Sequence, residues 1–210
     1  MIDILKKLNE GKDRCVLIGR NALNMTEPHK GEAMFHTLDY DVVCPDLQTA
    51  RECQVILEKE GFLKESATFK GSNGEELDVL LADPQYPQSV VGEYYNIPSL
   101  RPLWDERENN NGVLVPDTEK LIMHKLLYAR ENEGKDSQTI GIYFQLNPEK
   151  FDAFLEKIDK HSVLEERDRM LFALYEGVAD DKGQRDKIER FIASEIEKSN
   201  VNRDERMATV

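Results

Sequence analysis

Along the first half of this chain apolar residues come in short runs closed by turn residues, and along the second half they recur every three to four positions. Ile2, Leu5 and Leu8 at helical spacing predict a short leading helix over 2–9, ending near Gly11. Cys15-Val16-Leu17-Ile18 is a compact apolar run closed by Gly19, the pattern of a buried strand, and a helix is expected to open directly behind it at Arg20-Asn21-Ala22. Residues 26–36 are polar and turn-rich, a loop leading into a strand over Phe35–Pro45 in which Leu38, Tyr40 and Val42 are expected to face the core. Asp46 is placed to cap a helix whose apolar face is Leu47, Ala50, Cys53, Ile56 and Leu57, with Gly61 just past its end. Two short strands follow, around Ala67–Lys70 and at Glu76–Leu81, joined by a turn at Gly71-Ser72-Asn73-Gly74.

Residues 84–111 read as a long loop that holds Pro84, Pro87, Pro98 and Pro102, the single tryptophan and Asn109-Asn110-Asn111. Gly112–Pro116 reads as one more strand, and Asp117 as the cap of a helix to about Arg130. Three later stripes predict helices: Phe151/Phe154/Leu155/Ile158, Leu164/Leu171/Leu174/Tyr175 and Ile188/Phe191/Ile192/Ile196. The polar end, Asn202–Val210, reads as frayed. The expected fold class is α/β (α+β), a mixed sheet flanked by helices in residues 1–115 and a helical part in 116–210.

Composition narrows the class of protein. The chain has 210 residues, 40% hydrophobic and 33% charged, enough for a packed core. No apolar run approaches the roughly 20 residues of a membrane span, and the N-terminus lacks the basic-then-apolar order of a signal peptide. Three cysteines without C-x-x-C spacing argue against a disulfide framework or zinc knuckle; Cys15, Cys44 and Cys53 read as buried small hydrophobes in a cytoplasmic protein. The formal charge of −13 weighs against broad nucleic-acid binding, which relies on Lys and Arg, and leaves room for a cation that meets a phosphate.

The candidate chemistry centres on Asp39-Tyr40-Asp41. On a strand, residues two apart share a face, with backbones separated by roughly 6–7 Å. Two such carboxylates can converge on one hard cation or a pair about 3.5–4 Å apart. Asp78 supplies a third acid inside Leu77-Asp78-Val79-Leu80-Leu81. It is either a strand-edge residue in solvent or the partner of Asp39 and Asp41 across about 4.8 Å of strand spacing. Lys125 falls at about 40° within the arc of about 140° defined by Leu121, Ile122, Leu126 and Ala129. It either snorkels past the core or reaches an anion. His29, His36, His124 and His161 show no ligand spacing, Tyr94, Tyr95 and Trp104 suit packing better than base stacking, and Glu165–Arg169 reads as a solvated helix face.

A strand ending in Gly19, a helix, the Asp39-Tyr40-Asp41 strand and Asp78 on a later strand form an ordered set that resembles the polymerase-beta-like nucleotidyltransferases. Within that superfamily Val113–Leu126, followed by Arg130 and Lys135-Asp136, resembles the AbiEii-type and related toxin-like nucleotidyltransferases; the likeness covers about residues 14–145. The resemblance implies transfer of a nucleoside monophosphate from an NTP, with Asp39, Asp41 and Asp78 holding Mg²⁺ (two ions) and Asp78 alternatively acting as base. It implies nucleotide contacts from Gly19, Arg20, Asn21, Thr37 and Lys125, and an acceptor that is a small molecule, a protein or an RNA end. Two positions depart from the pattern: Arg20 stands where a small residue is usual, and Phe35 where a basic one is common. They motivate the alternative of an inactive nucleotidyltransferase fold kept as a binding or regulatory protein of a toxin–antitoxin or phage-defence system. A third reading is an interaction protein whose acids all lie on the surface.

Overall fold

The computed structural model describes residues 1–26, 33–66, 68–83, 99–129 and 134–208, with backbone only for 195 and 197–208. They form two compact units, Met1–Ile122 and Met123–Val210. Among the described residues, the first contains a five-stranded mixed sheet. Its elements are α1 (Ile2–Leu8), β1 (Val16–Ile18), α2 (Gly19–Thr26), β2 (Asp39–Cys44), α3 (Leu47–Lys59), β3 (Leu63–Glu65), β4 (Thr68–Lys70) and β5 (Glu76–Leu81). Strand order is β1-β2-β5-β4-β3; β2 and β5 run parallel, and the other pairs are antiparallel. A parallel pair needs a crossover, and α3 with the β3–β4 hairpin lies between these two strands in sequence.

Burial explains why the apolar runs became strands. Val16, Leu17 and Ile18 are all buried, as are Val42–Cys44 and Val79–Leu81, so these segments are covered on both faces and need no alternation. The predicted cap of α3 is present: Asp46 Oδ1 accepts from the Thr49 amide at 2.7 Å. Gly61 takes φ +86° beyond the helix end, the left-handed turn that favours glycine there. Cys15, Cys44 and Cys53 are buried free thiols, as expected.

Several expectations need correction. Leu38 is 56% exposed, because pairing begins only at Asp39 and Leu38 lies outside the ladder that orients the strand. β3 was not foreseen; its Leu-Lys-Glu sequence has no apolar alternation, and all three residues are exposed. Residues 99–111 are not a loop: they hold α4 (Arg101–Asp105) and β6 (Arg107–Asn110). β6 pairs with β7 (Val113–Pro116) around a turn at Asn111 and Gly112. The Asn-Gly signal had marked a hairpin rather than irregular chain. Trp104 is buried, with the Arg107 guanidinium 4.2 Å from its ring centroid, which fits packing. Tyr94, Tyr95 and His29 lie outside the described residues, as does Ala67 ahead of β4.

α5 (Thr118–Leu127) carries the division between the units, and Asp117 Oδ1 accepts from the Lys120 amide at 3.0 Å as its cap. It ends short of Arg130, which is outside the described residues. The second unit is helical: α6 (Lys135–Leu146), a 3-10 turn at Pro148–Lys150, α7 (Phe151–Asp159), α8 (Leu164–Gly177) and α9 (Lys182–Ala208). Its core gathers Tyr143, Phe144, Phe151 and Phe154 in edge-on ring pairs 5.2–6.1 Å apart. α6 and α8 meet at Gly141 and Gly177, where neither backbone leaves room for a side chain. The C-terminal end is helical through Ala208 rather than frayed, a direct extension of α9.

Candidate functional site

Both β2 and β5 run from an acidic, solvent-accessible end into an apolar interior: exposure falls from Asp39 to Val42 along one, and along the other the half-buried Glu76 and Asp78 precede the buried Val79–Leu81. Being parallel and in register, they bring those acidic ends together. Asp39 pairs with Glu76, and Asp41 with Asp78. Laterally paired residues share a face, so Asp41 and Asp78 project side by side from backbones about 4.8 Å apart. Asp78 therefore stands beside the Asp39–Asp41 strand rather than on a distant part of the sheet.

β1 runs antiparallel to β2 and brings Ile18 beside Asp41, so the turn into α2 starts at the acidic end. Gly19 makes that turn with φ +74°. A Cβ on Gly19 would stand 3.0 Å from Asp41 Oδ2, so this carboxylate is seated where any side chain would be. The first amides of α2, from Gly19, Arg20 and Asn21, have no intrahelical acceptors and lie at the positive end of the helix dipole.

The remaining predicted residues divide into those holding this corner and those elsewhere. Asn21 is buried and its amide donates to the Asp39 carbonyl at 2.7 Å, fixing α2 to the start of β2. Asn24 exchanges two bonds of 2.8 Å with the Phe35 backbone and ties the incoming segment to the same helix. Arg20 lies over the Phe35 ring, 5.7 Å from guanidinium carbon to centroid; the two residues that depart from the superfamily pattern therefore pack against each other. Thr37 Oγ1 accepts from the Asp39 amide at 3.2 Å, a local turn contact. Tyr40 points to the opposite face; burial, assisted by the Glu75 carboxylate, raises its phenol above the usual value. Lys125 belongs to the helical unit, where its Nζ is 3.0 Å from Asp136 Oδ1 with both side chains largely buried. It lies on the inward stripe, and its partner there is a carboxylate.

Sequence reasoning missed Thr68. It lies opposite Asp78 on β4, and its hydroxyl donates to Asp78 Oδ1 at 2.6 Å. The recognisable signal was a β-branched hydroxyl three positions ahead of a glycine turn, in a hairpin whose register places it against the third acid. Lys70 sits on the same face, 3.5 Å from Glu76 and 2.8 Å from Glu65, and offsets part of the acidic charge.

Asp41 and Asp78 offer hard oxygen donors side by side, and the missing side chain of Gly19 lets Asp41 Oδ2 approach the backbone; such oxygens fit a divalent cation such as Mg²⁺. Among the described residues no three His, Cys, Asp or Glu side chains are gathered into a group able to hold a metal ion. Asp39, Asp41 and Asp78 thus do not form a closed three-carboxylate cage. Mg²⁺ does not require one, since it retains waters and commonly takes one or two carboxylates plus substrate phosphates. Among the described residues no helix is long and apolar enough to cross a membrane.

No family model matches the sequence, and no curated protein matches it. Two solved structures show similarity. One is a provisionally designated nucleotidyltransferase from H. pylori, 13% identical with a TM-score of 0.41, covering 91% of this chain and 94% of that one. The other is JHP933 from Helicobacter pylori, 12% identical with a TM-score of 0.38, covering 95% of this chain and 94% of that one.

Proposed function

We propose that this chain is a divalent-metal-dependent nucleotidyltransferase, moving a nucleoside monophosphate from an NTP to an acceptor hydroxyl. The observation that carries the reading is the register pair Asp41–Asp78, with Asp41 seated on Gly19 at the mouth of α2. Two neighbouring carboxylates suit a cation, and the first-turn amides at a helix N-terminus beside them suit a phosphate. A bound Mg²⁺ would supply charge neutralisation for the phosphates. Asp41 and Asp78 would hold it, with Asp39 accessible at the strand end for a second ion. The amides of Gly19, Arg20 and Asn21 would bind phosphate oxygens and orient the chain of phosphates. In the transfer, the acceptor hydroxyl gives its proton to water, its oxygen bonds to the α-phosphorus, the bond from that phosphorus to the bridging β-phosphate oxygen breaks, and pyrophosphate leaves. Because the Thr68 hydroxyl already occupies one oxygen of Asp78, that residue suits a ligand role better than a base role. The acceptor class, a small molecule, protein or RNA end, is set by surfaces outside this corner.

A second reading, a nucleotidyltransferase fold acting as a binding or regulatory component of a toxin–antitoxin or phage-defence system, is favoured by one observation. Lys125 is engaged by Asp136, and Arg20 lies on Phe35, so two cations available for a triphosphate are already in contact with other groups. Calorimetric titration with Mg²⁺ and each NTP separates the readings. The enzyme reading expects metal-dependent NTP binding that weakens at least about tenfold in Asp41→Asn and Asp39→Ala, a loss of about 1.4 kcal/mol. It also expects label from an α-labelled NTP to enter one class of molecule in a cell lysate. Absence of metal-dependent NTP binding, unchanged by these substitutions, would sink it.

A further inference from the structure

We infer that Thr68 is a positioning residue which makes Asp78 a one-oxygen ligand and thereby sets which divalent cation this site accepts; the inference rests on the metal-dependent reading above. Thr68 faces Asp78 across the antiparallel β4–β5 pair and shares its face of the sheet. The 2.6 Å separation from Oγ1 to Oδ1 is that of a charge-assisted O–H···O⁻ bond. Among the described residues the Asp78 carboxylate has no other hydrogen-bond or ion-pair partner, so Oδ2 keeps both lone pairs for a ligand while one at Oδ1 is taken by the hydroxyl. A β-branched side chain on a strand has a stiff χ1, so the hydroxyl is held in place rather than searching. Its register partner is fixed from the other side too, because Asp78 is itself locked opposite Asp41.

The chemical consequence is selectivity. Mg²⁺ and Mn²⁺ take near-octahedral sets of single oxygens, whereas Ca²⁺ accepts larger sets in which one carboxylate contributes both oxygens. With Oδ1 committed to Thr68, Asp78 presents the single oxygen that suits the smaller ions. Removing the hydroxyl frees Oδ1, loosens the carboxylate, and opens the two-oxygen mode. Outer partners of metal ligands typically alter affinity by about 10–100-fold when lost.

The test uses the full chain and measures Mn²⁺ and Ca²⁺ binding by calorimetry for the wild type, Thr68→Val, Thr68→Ser and Asp41→Asn, with urea unfolding of each as the folding control. Valine keeps the shape without the donor, and serine keeps the donor. Expected is a loss of about tenfold in Mn²⁺ affinity for Thr68→Val with a smaller loss for Ca²⁺, so the Mn²⁺/Ca²⁺ ratio falls, while Thr68→Ser stays within about twofold of wild type. Wild-type binding that is lost in Asp41→Asn but keeps its affinity and ratio in Thr68→Val overturns the role of Thr68 alone. An equal loss in Thr68→Ser does the same, because the methyl group would then be responsible. No Mn²⁺ binding by the wild type overturns the metal reading and this role together.

Discussion

Replacing Gly19 by alanine adds one methyl group at the point where β1 turns into α2, and the structure separates its two consequences. The first is conformational. Gly19 has φ +74°, and an L-residue held in the left-handed region costs about 1–2 kcal/mol. The second is steric: the new Cβ would lie 3.0 Å from Asp41 Oδ2, so the carboxylate has to retreat by a few tenths of an ångström. Gly61 isolates the first from the second, since it has φ +86° with nothing within 4 Å of its Cβ position. Both variants should lose about 1–2 kcal/mol in urea unfolding, followed through Trp104, the single tryptophan, which is buried in the Met1–Ile122 unit. Only Gly19→Ala should also change the site, with Mn²⁺ affinity reduced about tenfold, as for other disturbances of ligand orientation. Gly61→Ala should bind as the wild type does. Equal stability losses together with unaltered Mn²⁺ binding in Gly19→Ala would refute the idea that Asp41 is seated on this glycine as a metal ligand.

Two predictions concern the scaffold. Asp46→Ala should cost about 1 kcal/mol through loss of the α3 cap. The Thr49 amide holds the Asp46 carboxyl below its usual range, with burial opposing it; a depressed folded-state value gives stability that is full above the unfolded value and lost as pH falls through the folded one, so urea midpoints of wild type and variant should converge on acidification. Gly141→Ala should lower the melting temperature of the helical unit by circular dichroism, because the Cβ would collide with the Gly177 carbonyl oxygen. The gain in helix propensity is about 1 kcal/mol, and overpacking against backbone at the upper end of about 3 kcal/mol exceeds it; a raised melting temperature would contradict this packing.

The elements legible in the sequence were those whose own residues state where they are buried. β1, β2, β5 and β7 are apolar over most of their length, α3 and α7 carry unbroken stripes, and α3 has signals at both ends. What escaped had its cause elsewhere in the molecule. β3 exists because β4 offers it an edge, not because Leu63-Lys64-Glu65 prefers a strand. β6 is a polar Arg-Glu-Asn-Asn segment held by pairing with β7, so tertiary context overrides a weak local preference. α6 is a different failure, since Asp136, Thr139, Ile140, Tyr143 and Phe144 are spaced as one helical face and all are buried. The charged and hydroxyl members concealed the stripe from a search for apolar residues alone.

The candidate site divides along the same line. Residues that define it through backbone geometry were readable: a glycine after a buried strand, two acids two apart, and an acid within an apolar run each constrain the chain locally. Residues that act by satisfying a neighbour were not. Thr68 gains significance only from the β4–β5 register, which sequence leaves open to a slip of one position, and a slip would turn its hydroxyl to the other face. Lys125 shows the converse. Its inward position was correctly expected from helical spacing, yet a buried cation must be paired, and which anion pairs with it depends on a helix not foreseen. Asp136 at the first turn of α6 supplies that anion. The pairing ties Lys125 to a neighbouring helix of its own unit. In the proposed reaction, the Asp41–Asp78 pair and the α2 amides are the groups to vary.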